Sequence, residues 1–326
     1  MTINFDLHKH KDTSAGRTGK NLNRFVAGIG RKHILRIGKF LGRLAYVLDV
    51  PHRRIVRRNL AFAYPDWSQT EIKRISGRIF QNLGITFVEI LQLFVLSKAD
   101  ILARIEVVGL EHLQRAQQSR KGLIIISGHL GSWEMGLLYA CCILDKPSLG
   151  VAKKFRFGPL NRRIHDLRTR FGLKIVYKKG AVPEMRKMLR HGGIIGLLVD
   201  QSRRSEGVEV TFFGRKVTAT PAAAFLALRY KCPVLPIFCV RKANGQLIME
   251  VKAPLEILQT GDLRSDLQTN TQRITDAVEE AVRRYPDQWF WIHKRWKKFY
   301  PDLYPEYQAR RKRRRVKKKS IPNSAG

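Results

Sequence analysis

The residues best suited to chemistry lie in the stretch GHLGSWE, residues 128–134, directly after the apolar run LIIIS. It places an imidazole at His129 and a carboxylate at Glu134, five positions apart. Histidine can take a proton from a hydroxyl near neutral pH, and a carboxylate on the other ring nitrogen fixes the tautomer and stabilises the imidazolium that forms. The pair therefore predicts a general base and its orienting acid. The same spacing is also typical of a histidine that caps a turn and a glutamate that caps a helix start, so that alternative stays open.

Whether His129 and Glu134 can meet depends on the local fold. On one continuous helix, residues i and i+5 point about 140° apart. If LIIIS is a strand and a helix begins near Gly131, the bend between them can bring the two side chains together at the carboxyl end of the strand, where open α/β sheets bind their ligands. Gly128 and Gly131 permit a tight turn, and the helix N-terminus favours negative charge.

A second acidic candidate is Asp200, which ends the apolar run IIGLLV. If that run is a strand of the same sheet, we expect Asp200 to point into the same cleft as His129. A helix cap or turn cap is an equally good interpretation of this aspartate.

The elements that must position these residues alternate in the α/β manner. Helical stretches lie between several apolar runs, which predicts an α/β fold with one mostly parallel sheet covered by helices. With no internal repeat or Pro/Ser-rich linker inside it, residues 31–300 are predicted to form one domain, between a polar, basic leader at 1–30 and a basic, disordered tail at 301–326. The predicted strands are Leu123–Ser127, Lys174–Tyr177, Ile194–Val199, Val234–Val240 and Leu247–Val251, and the predicted helices are Gly131–Leu144, Pro159–Phe171, Pro183–Arg190, Pro221–Tyr230 and 268–284.

Residues 31–48, RKHILRIGKFLGRLAYVL, form an amphipathic segment. Apolar residues recur at helical spacing with basic residues between them, which suits an interfacial helix in the headgroup region of a membrane; a surface helix packed on the core is the equal alternative. The stretch 80–97, FQNLGITFVEILQLFVLS, has Glu89 as its one charge and predicts a buried helix, with shallow lipid insertion as the alternative. A transmembrane helix is not predicted, because no window offers about 18 uncharged apolar residues.

The chain is strongly basic, with 62 Lys plus Arg against 26 Asp plus Glu and a formal net charge of +36. Such an excess favours polyanionic partners: nucleic acid, an anionic membrane, or acidic proteins and substrates. We find no zinc-finger spacing, RNP-like aromatic motif or recognition helix, so specific nucleic-acid binding is a remote alternative. The tail RRKRRRVKKK is either simply solvated or a tether to anionic lipid, at about 1 kcal/mol per basic residue near the surface.

The cysteines indicate a reducing compartment and no metal. Cys141, Cys142, Cys232 and Cys239 form no CxxC pair and lie in apolar surroundings, so neither disulfides nor a zinc site are predicted. The polar N-terminus lacks the apolar region of a signal peptide. No HExxH or other metal-ligand cluster is present, and we expect neither a metal nor an organic cofactor.

Several segments together resemble the bacterial lipid A biosynthesis acyltransferases, the late lauroyl and myristoyl acyltransferases of the lysophospholipid acyltransferase superfamily. The family's His-x4-Asp/Glu box resembles HLGSWE, with Trp133 before the acid. The upstream VPHRRIVRRNLAFAYPDWSQTEIKRI resembles the family's entry segment, and LLVDQ with VTFFGRKVTATPAAAFLALRYKCPVLPIF resembles its next block. The closing YPDQWFWIHKRWK resembles its C-terminal signature. The resemblance covers roughly residues 35–300.

The resemblance implies a glycerolipid-acyltransferase-like fold and the transfer of an acyl chain from a thioester, usually of acyl carrier protein, to a hydroxyl of a membrane lipid. His129 then deprotonates the hydroxyl, Glu134 orients His129, and backbone N–H groups near the helix start stabilise the oxyanion. The implied acceptor is an anionic lipid A precursor at the cytoplasmic face of the inner membrane. Many members begin with a transmembrane helix, whereas basic residues interrupt 31–48, which favours an interfacial, peripheral or monotopic attachment.

The resemblance also implies where substrates bind. The superfamily places its acceptor-phosphate contacts in the basic block after the catalytic helix, which here contains Lys153, Arg162, Arg168 and Arg170; a solvated basic face is the alternative. Residues 212–214 resemble a loop along the acyl route, although core packing explains them nearly as well, and His293 is interpreted as structural. The sequence leaves open the chain length, a coenzyme A donor in place of acyl carrier protein, and another glycolipid, aminolipid or lysophospholipid as acceptor.

Overall fold

The computed structural model describes residues 26, 28–118, 121–154, 157–178, 180–202 and 207–308. Its strands are β1 (Ile105–Val108), β2 (Leu123–Ser127), β3 (Ser148–Ala152), β4 (Leu173–Tyr177), β5 (Ile194–Leu198), β6 (Val208–Phe212), β7 (Arg215–Ala219), β8 (Val234–Arg241) and β9 (Leu247–Val251). Its helices are α1 (Arg31–Leu48), α2 (Val50–Ala63), α3 (Gln69–Leu93), α4 (Lys98–Leu102), α5 (Leu110–Gln118), α6 (Trp133–Ile143), α7 (Gly158–Thr169), α8 (Ala181–Arg190), α9 (Ala222–Tyr230) and α10 (Leu263–Arg284), with a 3-10 turn at Pro301–Leu303.

Seven strands form one sheet in the order β1-β9-β8-β2-β5-β3-β4, while β6 and β7 form a separate hairpin. Neighbouring strands of the large sheet run parallel except for β8 and β9, which are antiparallel. Apolar side chains are buried on both faces: Ile124 and Ile195 belong to one hydrophobic cluster, and Leu123 and Ile194 to another. Both faces are therefore covered, as a parallel sheet requires, and the predicted α/β fold is confirmed.

The pairing of β2 with β5 decides where the polar residues meet. The two strands are parallel neighbours, and Ser127 is paired with Leu198 at their carboxyl ends. The backbone N–H of Val199 donates to the carbonyl of Ser127 at 3.0 Å, which extends this register past the strand ends. His129 and Asp200 each lie two residues beyond the paired ends, so the register brings them to the same point on the edge of the sheet.

Helices α1 and α3 pack closely along a seam of glycines. A Cβ on Gly38 would lie 2.4 Å from the Cα of Ile85, and one on Gly84 would lie 2.2 Å from the carbonyl oxygen of Gly38, so larger residues do not fit. Gly42 meets Phe80 in the same way, and the order of these contacts makes the helices antiparallel. Within the described ranges, no helix combines the length and apolar content needed to cross a bilayer.

Each of these two helices also exposes a row of large apolar side chains. The row on α1 lies about a third of a turn from the glycine seam and the row on α3 about a quarter turn, in the same rotational sense, so in an antiparallel pair they fall on the same side. The segment 80–97, predicted as a buried helix, is thus exposed along one side. We call this surface the apolar helix face; its members are Ile37, Phe40, Leu44, Val47 and Leu48 of α1, Phe87 and Leu91 of α3, and Phe94 just after it.

Residues 301–308, predicted as the start of the tail, are instead part of the fold. Tyr304 is fully buried, and its hydroxyl donates to Oδ1 of Asn59 at 2.6 Å. Asn59 in turn donates to the carbonyls of Trp291 and His293 at 2.7 and 3.0 Å. The basic run at 310–319 and nearly all of the predicted leader lie outside the described residues.

Candidate active site

His129 and Asp200 form a tightly bonded pair at the carboxyl edge of the sheet. Nδ1 of His129 lies 2.8 Å from Oδ1 of Asp200, and the backbone N–H of His129 donates to Oδ2 at 2.9 Å. The indole N–H of Trp289 donates to the same Oδ2 at 2.9 Å. Because the carboxylate can only accept, Nδ1 carries the proton and the lone pair of Nε2 faces outward. Asp200 therefore holds the imidazole in the tautomer that a general base needs.

Burial and charge act in opposite directions on this pair. Burial by itself lowers the pKa of His129, but the charge of Asp200 and its hydrogen bond outweigh it, so the pKa of His129 is raised. Burial by itself raises the pKa of Asp200, but the charge and hydrogen bonds of His129, with that of Trp289, hold it well below the usual range for a carboxyl group. The carboxylate is thus ionised at neutral pH and ready to stabilise an imidazolium.

The turn that carries His129 is clamped on both sides by the rest of the fold. Gly131 has a φ of 61°, and a Cβ there would lie 2.2 Å from the carbonyl oxygen of Cys239, so only glycine fits. The N–H groups of Gly131 and Ser132 donate to the carbonyls of Gln288 and Cys239 at 3.0 and 2.8 Å. These two N–H groups are therefore already occupied and are not available to a substrate oxygen.

The structure pairs Glu134 with Arg168 and not with His129. Arg168, in the last turn of α7, binds the carboxylate of Glu134 through both Nε and Nη2, with Nε 3.0 Å from Oε2. Both side chains are largely buried, at 18% and 10% exposure. The predicted contact between His129 and Glu134 is therefore replaced by the pair His129–Asp200, since α7 supplies a bidentate cation that the local spacing could not reveal. Glu134 still raises the pKa of His129 through its charge.

A second, largely buried ion cluster ties α1 and α3 to the site. Glu89 of α3 accepts from Arg241 at the end of β8, from Arg31 of α1 at 2.5 Å, and from the hydroxyl of Ser132 at 2.7 Å. Burial by itself raises the pKa of Glu89, but these cations and hydrogen bonds outweigh it and keep the pKa lowered. Removing the charge of Glu89 would leave the buried Arg241 without its anionic partner, which is strongly destabilising.

An elongated cavity of about 650 Å³ opens beside His129. Trp133 and Glu134 line it at the His129 end, and Trp133 contacts the imidazole edge-on with ring centroids 5.4 Å apart. Its remaining walls are mostly apolar and come from α6 and from one face of the sheet. Nε2 of His129 also lies 3.4 Å from the side-chain amide of Gln201, another lining residue. A mostly apolar cavity with a few polar groups at one end is typical of a ligand site.

The predicted phosphate-binding residues fall into two groups. Lys153 and Arg168 line the cavity, and Lys154 and Lys178 line it with them. Arg170 instead binds backbone carbonyls at the end of α3, with Nη2 2.6 Å from the carbonyl oxygen of Leu96.

Arg162 is exposed on α7 and is not among the residues that line the cavity.

The remaining sequence candidates pack in the core. Phe212 and Phe213 are buried among aromatic rings, and neither they nor Gly214 line the cavity, so the core-packing interpretation applies to them. Burial lowers the pKa of His293 to about 3, with Lys297 adding to the effect, so His293 is a neutral packing residue.

Some residues of the site were not found from the sequence. Trp289 and Gln288 lie nearly 160 positions after His129, and nothing in their own pattern indicates that they clamp its turn. The sequence does indicate a partner for Arg241. It ends the apolar run VLPIFCV, and a buried cation needs a buried anion. Glu89 offers the matching charge in an otherwise apolar helix.

Comparisons with known proteins show which proteins this chain is similar to. A family model described as bacterial lipid A biosynthesis acyltransferase matches residues 19–298. The lipid A biosynthesis lauroyltransferase of Escherichia coli (strain K12) is 24% identical over 270 residues, covering 81% of this chain and 85% of that protein. A phosphatidylinositol mannoside acyltransferase of Mycolicibacterium smegmatis is 24% identical over 211 residues, covering 64% and 66%. A solved 1-acyl-sn-glycerophosphate acyltransferase from Thermotoga maritima overlaps 81% of this chain and 97% of that one at 12% identity, with a TM-score of 0.35.

Proposed function

The chain belongs to the bacterial lipid A biosynthesis acyltransferase family, and on that premise we propose that it transfers a fatty acyl chain from an acyl carrier protein thioester to a hydroxyl of a lipid A precursor. The proposed place is the cytoplasmic face of the inner membrane. The observation that carries the proposal is the His129–Asp200 pair at the end of an apolar cavity. The cavity suits an acyl chain, and the pair suits the activation of a hydroxyl.

The reaction follows from the tautomer of His129. Nε2 takes the proton of the acceptor hydroxyl while the oxygen attacks the thioester carbonyl, and the imidazolium is stabilised by Asp200. The tetrahedral intermediate carries its negative charge towards the first turn of α6, where helix N–H groups favour it. Its collapse breaks the carbon–sulfur bond, and the thiolate leaves with the proton from Nε2. In this mechanism Asp200 takes the orienting role that the sequence assigned to Glu134.

Glu134 and Arg168 form the wall of the cavity next to the reacting atoms. Their bidentate contact fixes both side chains, so the charge of Glu134 stays near His129 and that of Arg168 faces the cavity. We assign Glu134 the role of supporting the imidazolium through its charge. Arg168 also lines the cavity, and we assign it, with the lysines that line it, to an anionic group of either substrate.

The rim of the cavity favours acidic partners. Lys153, Lys154 and Lys178 line it together with Arg168, on a chain whose net charge is +36. A cationic rim attracts the phosphates of a lipid A precursor and raises the rate of encounter with an acidic carrier protein. This charge supports acyl carrier protein as the donor, although the thioester chemistry would be the same with coenzyme A.

The apolar helix face supports attachment to a membrane surface. Phe40 and Leu48 are 65% and 69% exposed on α1, and Phe87 of α3 is 55% exposed. Basic residues of α1 flank the row, which suits a helix pair that rests among anionic headgroups. Because α3 also contacts the His129 turn through Thr86, which donates to the carbonyl of Gly131 at 3.0 Å, this face would bring the site close to a lipid acceptor.

A second acceptor class has specific support. The likeness to a phosphatidylinositol mannoside acyltransferase is of similar identity, so another phosphorylated glycolipid is the alternative acceptor. The catalytic groups would act identically on either hydroxyl, and the acceptor must be identified by assay.

The test is acyl transfer by the purified full chain, with labelled acyl carrier protein thioesters and three acceptors: a tetra-acylated lipid A precursor, a phosphatidylinositol mannoside and a lysophospholipid. We expect the lipid A precursor to gain the mass of one acyl chain. Transfer to the mannoside alone would move the assignment to the alternative. Absence of transfer to every acceptor, with folded protein, would overturn the proposal.

A further inference from the structure

The cavity beside His129 is a long slot with α6 on one side. Residues of α6 line it at helical spacing, from Trp133 at the His129 end to Leu144 just past the last turn. Eleven residues at 1.5 Å each give the slot a length of roughly 16 Å along the helix. Between these ends the helix lines the slot with Glu134, Gly136, Leu137, Ala140 and Cys141, three of which are small.

The sheet forms the other side of the slot, and a pair of glycines opens its middle. The strand register aligns Ile125 of β2, Gly196 of β5, Gly150 of β3 and Ile175 of β4 in one row across four strands. All four line the cavity. The two central positions of the row thus carry no side chain, which leaves a trough between two isoleucines.

The next row towards the amino ends of the strands carries side chains again. There the register aligns Ile194 of β5 with Ser148 of β3, and Ser148 with Leu173 of β4. Ile194 and Leu173 are buried at 1% and 4% exposure, and all three residues line the cavity. A linear chain that starts at His129 therefore passes over the glycine trough before it reaches this row of side chains.

We propose that Gly196, with Gly150 beside it, sets the length of acyl chain that the site accepts. The proposal rests on the proposed function in one respect, the choice of the thioester's acyl chain as the occupant of the slot. The reacting carbonyl must lie at His129, so the slot measures the chain from that fixed end. A side chain at the trough shortens the space beyond it.

Gly196 is the position where this can be tested without strain. A Cβ built there meets one atom within 4 Å, the carbonyl oxygen of Leu149 at 3.9 Å, so Gly196→Ala places a methyl group in the slot and clashes with nothing. At Gly150 the added carbon would lie 3.3 Å from Ile175, which is tighter. Gly77→Ala in α3 is the matched control, because a Cβ there meets nothing within 4 Å and Gly77 does not line the cavity.

The experiment has two readouts on the full chain. The first is kcat/KM for acyl carrier protein thioesters of increasing chain length. The second is displacement of a bound fluorescent fatty acid by free fatty acids of the same lengths, which needs no turnover. One methylene too many in a closed apolar site costs on the order of 10–200-fold in kcat/KM. We expect a loss of that size for the longest donor used by the wild type in Gly196→Ala, little change for shorter donors, and a larger truncation in Gly196→Val.

The outcomes separate this inference from the function. A shorter length limit in both readouts, with Gly77→Ala unchanged, supports it. If the protein transfers no acyl group but its length limit for fatty-acid binding still shifts, the trough remains the length-setting element. The same result would overturn the proposed reaction. An unchanged length limit in both readouts of Gly196→Ala and Gly196→Val would overturn the inference and leave the reaction standing.

Discussion

Replacing Asp200 with asparagine tests the proposed base most sharply, because the two side chains have the same shape. Three N–H donors converge on the two oxygens of Asp200: Nδ1 and the backbone nitrogen of His129, and the indole of Trp289. An asparagine offers one oxygen and an NH₂ group, so one donor must face another donor. The stable response is an imidazole with its lone pair on Nδ1 and its proton on Nε2, which is the wrong tautomer for a base.

The expected magnitude follows from the loss of general-base catalysis, which contributes about 10²–10⁴ in rate. In Asp200→Asn we expect kcat to fall by that factor while KM for the donor stays near the wild-type value, since Asp200 does not line the cavity. Neutral His129 is the active form, and Asp200 raises its pKa. The acid limb of the pH–rate profile should therefore move to lower pH in the variant.

The assay is steady-state acyl transfer from acyl carrier protein across a pH series, with circular dichroism to confirm folding. Asp145→Asn is the matched control, because Asp145 is exposed after α6 and does not line the cavity. A folded Asp200→Asn variant with wild-type kcat and an unmoved acid limb would refute the assignment of Asp200 as the residue that orients His129.

Three further predictions concern the surroundings of the site. Glu134→Gln should move the acid limb in the same direction as Asp200→Asn but by less, since its carboxylate acts on His129 by charge alone; a larger shift than that of Asp200→Asn would contradict this. Glu89→Gln should lower the free energy of unfolding, measured by urea denaturation, by about 3–5 kcal/mol, as for other broken buried ion pairs. An unchanged denaturation midpoint would contradict the stabilising role of the Glu89 ion pairs. Phe40→Ser should weaken binding to anionic vesicles, measured by sedimentation, by about tenfold or more, because burying such a side chain contributes about 1.5–3 kcal/mol. The control Leu263→Ser, at another exposed apolar residue, should bind as the wild type does. Equal binding by both variants would contradict the role of the apolar helix face in membrane attachment.

The strands at the centre of the sheet could be predicted because they are apolar and continuous. LIIIS and IIGLL read as buried strands and are β2 and β5, and His129 lies in the turn after β2 as predicted. β1, at one edge of the sheet, and β3, inside it, were missed for a physical reason. β1 has only four residues and β3 (SLGVA) contains a central glycine, so neither shows a strong strand pattern.

Contacts between distant segments set the limits of prediction at the site. The spacing of His129 and Glu134 indicated a direct pair, but each side chain found a stronger partner far along the chain, at Asp200 and Arg168. Asp200 was recognisable as a candidate, since it ends a strand at the same edge. Whether His129 pairs with Asp200 or with Glu134 depends on the β2–β5 register and on the position of α7. Neither can be derived from local spacing.

The most direct test of the account compares His129→Ala with His191→Ala in the acyl-transfer assay, followed by mass spectrometry of the lipid product. His191 is exposed at the end of α8 and does not line the cavity. The two variants therefore make the same substitution, once in the proposed site and once outside it. We predict that His191→Ala makes acylated product at the wild-type rate, whereas folded His129→Ala loses at least 10²-fold in kcat, about the contribution of a general base. A folded His129→Ala variant that acylates the lipid at the wild-type rate would contradict the central claim that this imidazole activates the acceptor hydroxyl.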